Sequence, residues 1–314
     1  ASLGDSYAPV GYYQNIAIRG FALDTGTGYR FNGLATTGEQ RIALENVQQV
    51  EILKGEAGLA AGVMAPGGII NYVAKRPAEV RAVTLGTDSE GTRYTALDVG
   101  HWITPRLGVR LNAAWEDSGS YIDNADGRRN FYSLAADWLI SDRSKLEVDA
   151  NYQTSAQRSA SGYQLLGATT LPRGVDRSKM LGHQDWQEPV GIATTNVTVL
   201  HTVELSPRWQ SRLSAGHSRS VIDDNVAFAY GCYYAAQCAD GSTPGNYFAP
   251  NGDYDIYDYR SPADTRVNQE LRAELRGRFD TGNVTHQLSL GADTLHRTVD
   301  KHQNVNEYVG TANI

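Results

Sequence analysis

Cysteine is scarce: the 314 residues hold two, Cys232 and Cys238, separated by five residues within a polar, tyrosine-rich segment. A metal site would need more ligands nearby, and the nearest histidine is His217. The pair therefore reads as a local disulfide made in an oxidising compartment, with free thiols as the other reading. Long apolar runs are missing too. None approaches the ~18 residues of a membrane-spanning helix, which excludes that architecture but not a membrane barrel, whose alternating strands escape hydropathy averages. Positive charge is in deficit, with 28 Lys and Arg against 35 Asp and Glu and a net charge of −7, which argues against nucleic acid as a partner. The opening Ala1-Ser2-Leu3-Gly4 has no basic start and no apolar core. No signal peptide is expected there, and a secreted product would appear in this form only if mature or truncated. Nor does any Ser-His-Asp order, His-x-x-x-His spacing or isolated carboxylate pair stand out, so no catalytic residues, enzyme activity, resident metal or cofactor is expected.

What is present is glycine (32), tyrosine (18) and strict alternation. From Val80 onward apolar and polar residues trade places with a period of two. Leu107, Val109, Leu111, Ala113 and Trp115 interleave with Gly108, Arg110, Asn112, Ala114 and Glu116; Leu146, Val148, Ala150 and Tyr152 interleave with Lys145, Glu147, Asp149 and Asn151. Strand side chains point alternately to opposite faces, so each run has one apolar and one polar face. Nine strands are expected, near 80–87, 92–103, 106–117, 129–140, 144–156, 191–205, 208–222, 264–280 and 284–298.

A soluble antiparallel sheet would also alternate. Here, however, the longer runs reach about 11 to 15 residues, against about 5 to 6 in soluble strands. Aromatics sit near the ends of the apolar faces (Trp102, Trp115, Tyr132, Trp138, Tyr152), as in an interfacial girdle. Connections also alternate in length. Short turns at Thr104-Pro105-Arg106, Ser141–Ser144, Ser206-Pro207-Arg208 and Asp280–Asn283 are separated by longer segments at 118–127, 157–191 and 226–263. Outer-membrane barrels keep short turns on the periplasmic side and long loops outside. The fold class expected is therefore an all-β membrane protein with antiparallel transmembrane β-barrel strands.

Ahead of the strands lies the most specific string. Val50-Glu51-Ile52-Leu53-Lys54-Gly55 opens like a strand, Gly58 and Gly62 follow, and Pro66-Gly67-Gly68 turns into Ile69-Ile70-Asn71-Tyr72-Val73-Ala74 before Lys75-Arg76-Pro77. A phosphate-cradling loop is disfavoured, since no Gly-Lys-Ser/Thr follows and no helical pattern opens there. The string resembles the end of the plug domain of TonB-dependent outer-membrane receptors. Ile18-Arg19-Gly20-Phe21 and Phe31-Asn32-Gly33-Leu34 fall where that family carries similar strings. The resemblance is close over 16–77 and continues as a pattern over 80–300. Departures are Gln48 and Gln49 for an acidic-basic pair, Glu56 for Pro, Ala61 near a usual Tyr, and Asn32 for Asp.

The resemblance implies a plug over 1–78 and barrel strands over 79–314. The family closes its barrel with about 22 strands, so nine would be an incomplete portion, and the amino-terminal TonB box would be absent. The implied function is import of a ferric siderophore across the bacterial outer membrane, driven by TonB with ExbB and ExbD. Partners would be that Fe(III)-siderophore, the lipid bilayer and lipopolysaccharide. Haem, cobalamin, a nickel chelate or an oligosaccharide are alternative cargoes. A passive porin or adhesion barrel is a further reading, though it leaves residues 1–77 unexplained.

On the plug, the implied ligand loops carry Tyr12, Tyr13, Gln14, Tyr29, Gly38, Glu39 and Gln40; in long barrel loops, Tyr163, Trp186, Tyr230, Tyr233 and Tyr234 are candidates, with Tyr247, Phe248, Tyr254, Tyr257 and Tyr259 nearby. Flat aromatic surface suits chelates at low entropic cost; the alternative is that such tyrosines pack among themselves. Arg19, Glu51, Lys54 and Arg76 are candidates for plug–barrel ion pairs. Asp223-Asp224 and Asp253, Asp255 and Asp258 lack the glycine-punctuated spacing of a calcium loop and read as a solvated acidic loop.

Overall fold

The structure is a computed structural model that describes residues 2–5, 14–54, 66–235 and 246–314. Tyr12, Tyr13, Gly55, Gly58, Gly62 and Cys238 lie outside the described residues. Among those described, all regular structure is strand, and no helix is long and apolar enough to cross a membrane.

Three sheets build the molecule. β1 (Ser2–Asp5), β2 (Gln14–Ile18) and β3 (Phe21–Ala22) form the first. The second comprises β4 (Tyr29–Phe31), β5 (Leu34–Ala35), β6 (Val47–Leu53) and β7 (Ile69–Ala74), in the order β5-β4-β7-β6 with β4 parallel to β7. The strings at 18–21 and 31–34 are tight turns, one in the first sheet between β2 and β3 and one in the second between β4 and β5. Arg19 (φ 55°) with Gly20 (φ 84°), and Asn32 (φ 52°) with Gly33 (φ 84°), each place both central residues in the left-handed region. That is the two-residue hairpin turn whose twist suits flanking strands, and Asn-Gly is its preferred sequence. Ile18 faces Phe21 and Phe31 faces Leu34 across them. Ile18, Leu23, Tyr29, Phe31, Ile70 and Tyr72 close into a small apolar core.

The third sheet holds β8 (Val80–Thr87), β9 (Arg93–Thr104), β10 (Leu107–Ser118), β11 (Gly127–Ser141), β12 (Ser144–Gln157), β13 (Val190–Ser206), β14 (Trp209–Ala229), β15 (Asp253–Thr281), β16 (Val284–Asp300) and β17 (Val305–Asn313). Each of β8 to β15 pairs antiparallel with the next, and β17 continues β16 along the far half of β15. The nine expected strands are thus present in order. β8 and β16 are not paired with each other among the described residues, so the sheet is open.

Its two faces differ as the alternation requires. Asn112, Ser133, Asp137, Asp149, Asn151 and Gln153 are buried on the inner face, while Leu111, Trp115, Tyr132, Leu134, Trp138 and Tyr152 are exposed on the outer. Tyr132 and Trp138 lie six residues apart on β11, roughly 20 Å along the strand. Trp115 Nε1 donates to the Tyr132 hydroxyl at 3.2 Å. Trp102 does not join this girdle. It pairs with Gly108 on the inner face, where its ring leaves no room for a side chain at position 108. On the outer face, Trp209 covers Gly277.

Both ends of the segment expected as a loop over 226–263 are strand. β14 runs to Ala229 and β15 starts at Asp253, giving β15 29 residues, far beyond the 9–11 or so that span a bilayer. A bulge at Pro262 and Ala263 (φ 53°), opposite Asp223, separates the two parts. The outer face of the extension is covered by the β12–β13 connection. Leu181 and Phe248 pack on Ala227, Ala229, Tyr254 and Ile256, and Phe248 bridges to Leu166.

Candidate functional site: the plug seam and an aromatic hollow

Two features share the inner face: a polar seam that holds described residues between Gly26 and Arg76 against the wall, and an aromatic hollow beyond it. The seam begins where the Lys75-Arg76-Pro77 string leaves β7. Arg76 Nη1 lies 2.6 Å from Asp149 and its Nε 3.5 Å from Glu147, and the guanidinium also meets Asp137. Lys145 sits 2.8 Å from Asp137 and 3.1 Å from Glu147. Lys75 bonds Asp98 at 3.0 Å, and Arg110 holds that same carboxylate. Next, Glu45 and Glu116 share Arg129, and Arg41 reaches Glu116 at 3.1 Å. Burial works against the charged Glu45, but the Arg129 guanidinium outweighs it and holds the carboxyl below its ordinary range.

The β4–β5 hairpin supplies the centre. Asn32 Nδ2 donates to Asp149 at 2.8 Å and to Thr198 at 3.2 Å, while its Oδ1 accepts from the Ala74 amide at 2.9 Å. Glu270 accepts from the Ala35 amide at 2.6 Å and faces Arg30 at 3.6 Å. Thr36 and Thr37 bond Ser218, and Thr36 also bonds Asn196.

Four ligand candidates fall inside this seam. Tyr29 is 1% exposed in the plug core; its ring packs against Gly38, and burial pushes its phenol up to about 12. Glu39 holds Thr25 and Arg297 through Oε1, and its carbonyl accepts from Ser220. Gln40 is 3% exposed and spends its amide on Thr36, Thr37 and Asn196. These side chains seat the plug; none presents a free outward face. Gln14 opens β2.

Of the four pairing candidates, Arg76 crosses to the wall. Glu51 accepts from Asn71 within its own sheet at 2.8 Å, Arg19 occupies an exposed turn, and Lys54 is exposed. Sequence reasoning missed Arg30, Arg41, Glu45 and Lys75. Only Lys75, inside the quoted string, carried a local signal.

Beyond the seam, Phe228 lies an even number of residues from Ser218 and Ser220 on β14, and so points to the same inner face. Phe228, Tyr230, Tyr233, Tyr234, Tyr257 and Asn306 line a hollow of about 410 Å3. Tyr257 stands edge-on to both Tyr230 and Tyr308, and Tyr234 packs 4.5 Å from Tyr308. The structure thus gathers three candidates, Tyr230, Tyr233 and Tyr234, and adds Phe228, Asn306 and Tyr308, which alternation alone did not mark.

Asp255, 0% exposed, organises the segment that carries the tyrosines: its carboxylate accepts the amides of Tyr234 at 2.8 Å and Ala235 at 2.6 Å. Cys232, in the same segment, is buried and disulfide-bonded. The solvated acidic loop expected here is corrected: Asp224, Asp255 and Asp258 are buried strand residues. No group of three metal-ligating side chains occurs among the described residues. Tyr163 faces the other way, its hydroxyl donating to the Asp176 carbonyl at 2.6 Å while its ring joins the outer cluster with Phe248 and Tyr254. Trp186 is exposed in the same outer connection.

Residues 3–69 match the family model described as TonB-dependent Receptor Plug Domain. The chain is 28% identical over 309 residues to the ferrichrome receptor FcuA of Yersinia enterocolitica, covering 93% of this chain and 37% of that protein. It is 28% identical over 257 residues to the metal-pseudopaline receptor CntO of Pseudomonas aeruginosa, covering 79% of this chain and 33% of that one. The chain therefore spans about a third of the length of these curated relatives. Among solved structures, BauA, the ferric preacinetobactin receptor of Acinetobacter baumannii, superposes with a TM-score of 0.81 at 22% identity, covering 100% of this chain and 46% of that one. The ferripyoverdine receptor of Pseudomonas aeruginosa gives a TM-score of 0.78 at 18% identity, covering 99% and 41%.

Proposed function

We propose, on the premise that this chain belongs to the TonB-dependent receptors, that it forms the plug (1–78) and a run of wall strands (79–314) of an outer-membrane importer of a ferric siderophore. One observation carries the reading: a polar plug seam and an aromatic hollow lie on the same inner face, the hollow farther along β14 and β15. Flat phenol and phenyl faces contact a chelate at small entropic cost, and their hydroxyls can bond its oxygens. Relatives named for ferrichrome and metal-pseudopaline binding support a chelate cargo.

Passage needs the plug to shift, and the seam suits that. Its contacts are hydrogen bonds and ion pairs, each with a modest net contribution of about 0.5–3 kcal/mol because water can replace either partner. An apolar seam of the same extent would instead resist wetting. The outer membrane holds neither ATP nor an ion gradient, so the pull is assigned to TonB with ExbB and ExbD, and no covalent chemistry is required. In iron-starved cells, deleting the gene should abolish growth on one ferric siderophore and leave haem use intact. Unchanged growth on a siderophore panel, with haem use lost, would reject the reading.

A further inference from the structure

The hollow is aromatic, and it is also without charge. None of the six residues that line it is ionic. The surrounding sequence shares the bias: between Val226 and Ala263 there is one basic residue, Arg260, against Asp240, Asp253, Asp255 and Asp258, and between Val305 and Ile314 only Glu307 is ionic. Arg260 lies 2.6 Å from Asp258, a residue of the opposite strand face from Tyr257 and Tyr259. Arg266, nearer the plug, is buried against Asp264 at 3.3 Å. Lys179 bonds the carbonyl of Asn313 at the far end of β17, seven residues and roughly 23 Å along the strand from Asn306.

A multiply anionic chelate entering this hollow would give up hydration without meeting a counter-charge among the described lining residues, and desolvating an unpaired charge is expensive. Uncharged oxygens lose far less, and tyrosine hydroxyls can donate to them. Resting on the siderophore reading above, we infer that this subsite takes a flat, uncharged part of a neutral iron chelate of the trihydroxamate type and discriminates against tri-anionic tris-catecholates.

The test is equilibrium binding to the intact detergent-solubilised receptor, using gallium-loaded neutral trihydroxamate and tri-anionic tris-catecholate of similar size. The neutral chelate should bind at least about tenfold more tightly. Asn306→Lys, which places a cation in the exposed rim of the hollow, should narrow the gap by strengthening tris-catecholate binding. Equal or tighter tris-catecholate binding by the unaltered receptor overturns the charge inference while leaving siderophore import standing. Binding of neither chelate overturns both.

Discussion

Asn32 does two jobs that its amide alone allows. The left-handed backbone at φ 52° accepts Asn or Asp, so the turn does not choose between them. The wall does: Asn32 Nδ2 donates to Asp149, which also binds Arg76. An aspartate there would set two carboxylates together and remove a donor. Asn32→Asp should weaken plug seating by about 2–4 kcal/mol, through loss of a part-buried charge-assisted bond and new repulsion. Faster hydrogen–deuterium exchange in the β4–β5 hairpin, with unchanged exchange in β11 and β12, is the expected signature. At this scale the sequence was partly legible. Arg76 stands in a distinctive string, but Tyr29 and Gln40 looked like apical ligand residues because nothing local distinguishes a loop side chain facing solvent from one facing a wall.

Strands and the short turns between them were more readable than single side chains, because a period of two and its interruption are nearest-neighbour signals. The exception is the far part of β14 and β15. There the outer face is covered by the β12–β13 connection and the inner face is aromatic, so the contrast between faces that reveals a half-buried strand disappears. The bulge at Pro262 and Ala263 further interrupts the period. Within this element Asp255 is a positioning residue. Asp255→Ala strands the buried amide of Ala235, at about 1–3 kcal/mol, releases the part-buried amide of Tyr234, and should loosen the segment bearing Tyr230, Tyr233 and Tyr234. Chelate affinity should fall by roughly tenfold or more while receptor abundance in the membrane holds, and Asp255→Asn should restore part of it. Equal loss in both variants, or loss of abundance, would argue against this positioning role.

For the whole molecule, the seam couples plug seating to pH. Because Glu45 is held below its ordinary range in the folded state, its contribution is fully present above the unfolded value of about 4.3 and is lost as pH falls through the lower folded value. Protease accessibility of the plug should therefore rise below about pH 4, and Glu45→Gln should flatten that acid limb while raising accessibility at neutral pH. An unchanged acid limb in the variant would place the sensitivity elsewhere in the seam.

The sequence by itself determined what neighbours in the chain can encode: a run of alternating strands, the short turns between them, and the glycine and Lys-Arg-Pro string that resembles a plug. The tertiary structure decided which distant groups meet. Arg76 finds Asp149 across 73 residues, Asn32 finds Asp149 across 117, and Arg297 finds Glu39 across 258. The reason is geometric. A side chain's face follows from its position in a strand, whereas its partner follows from how strand tilt and register bring a separate sheet against that face.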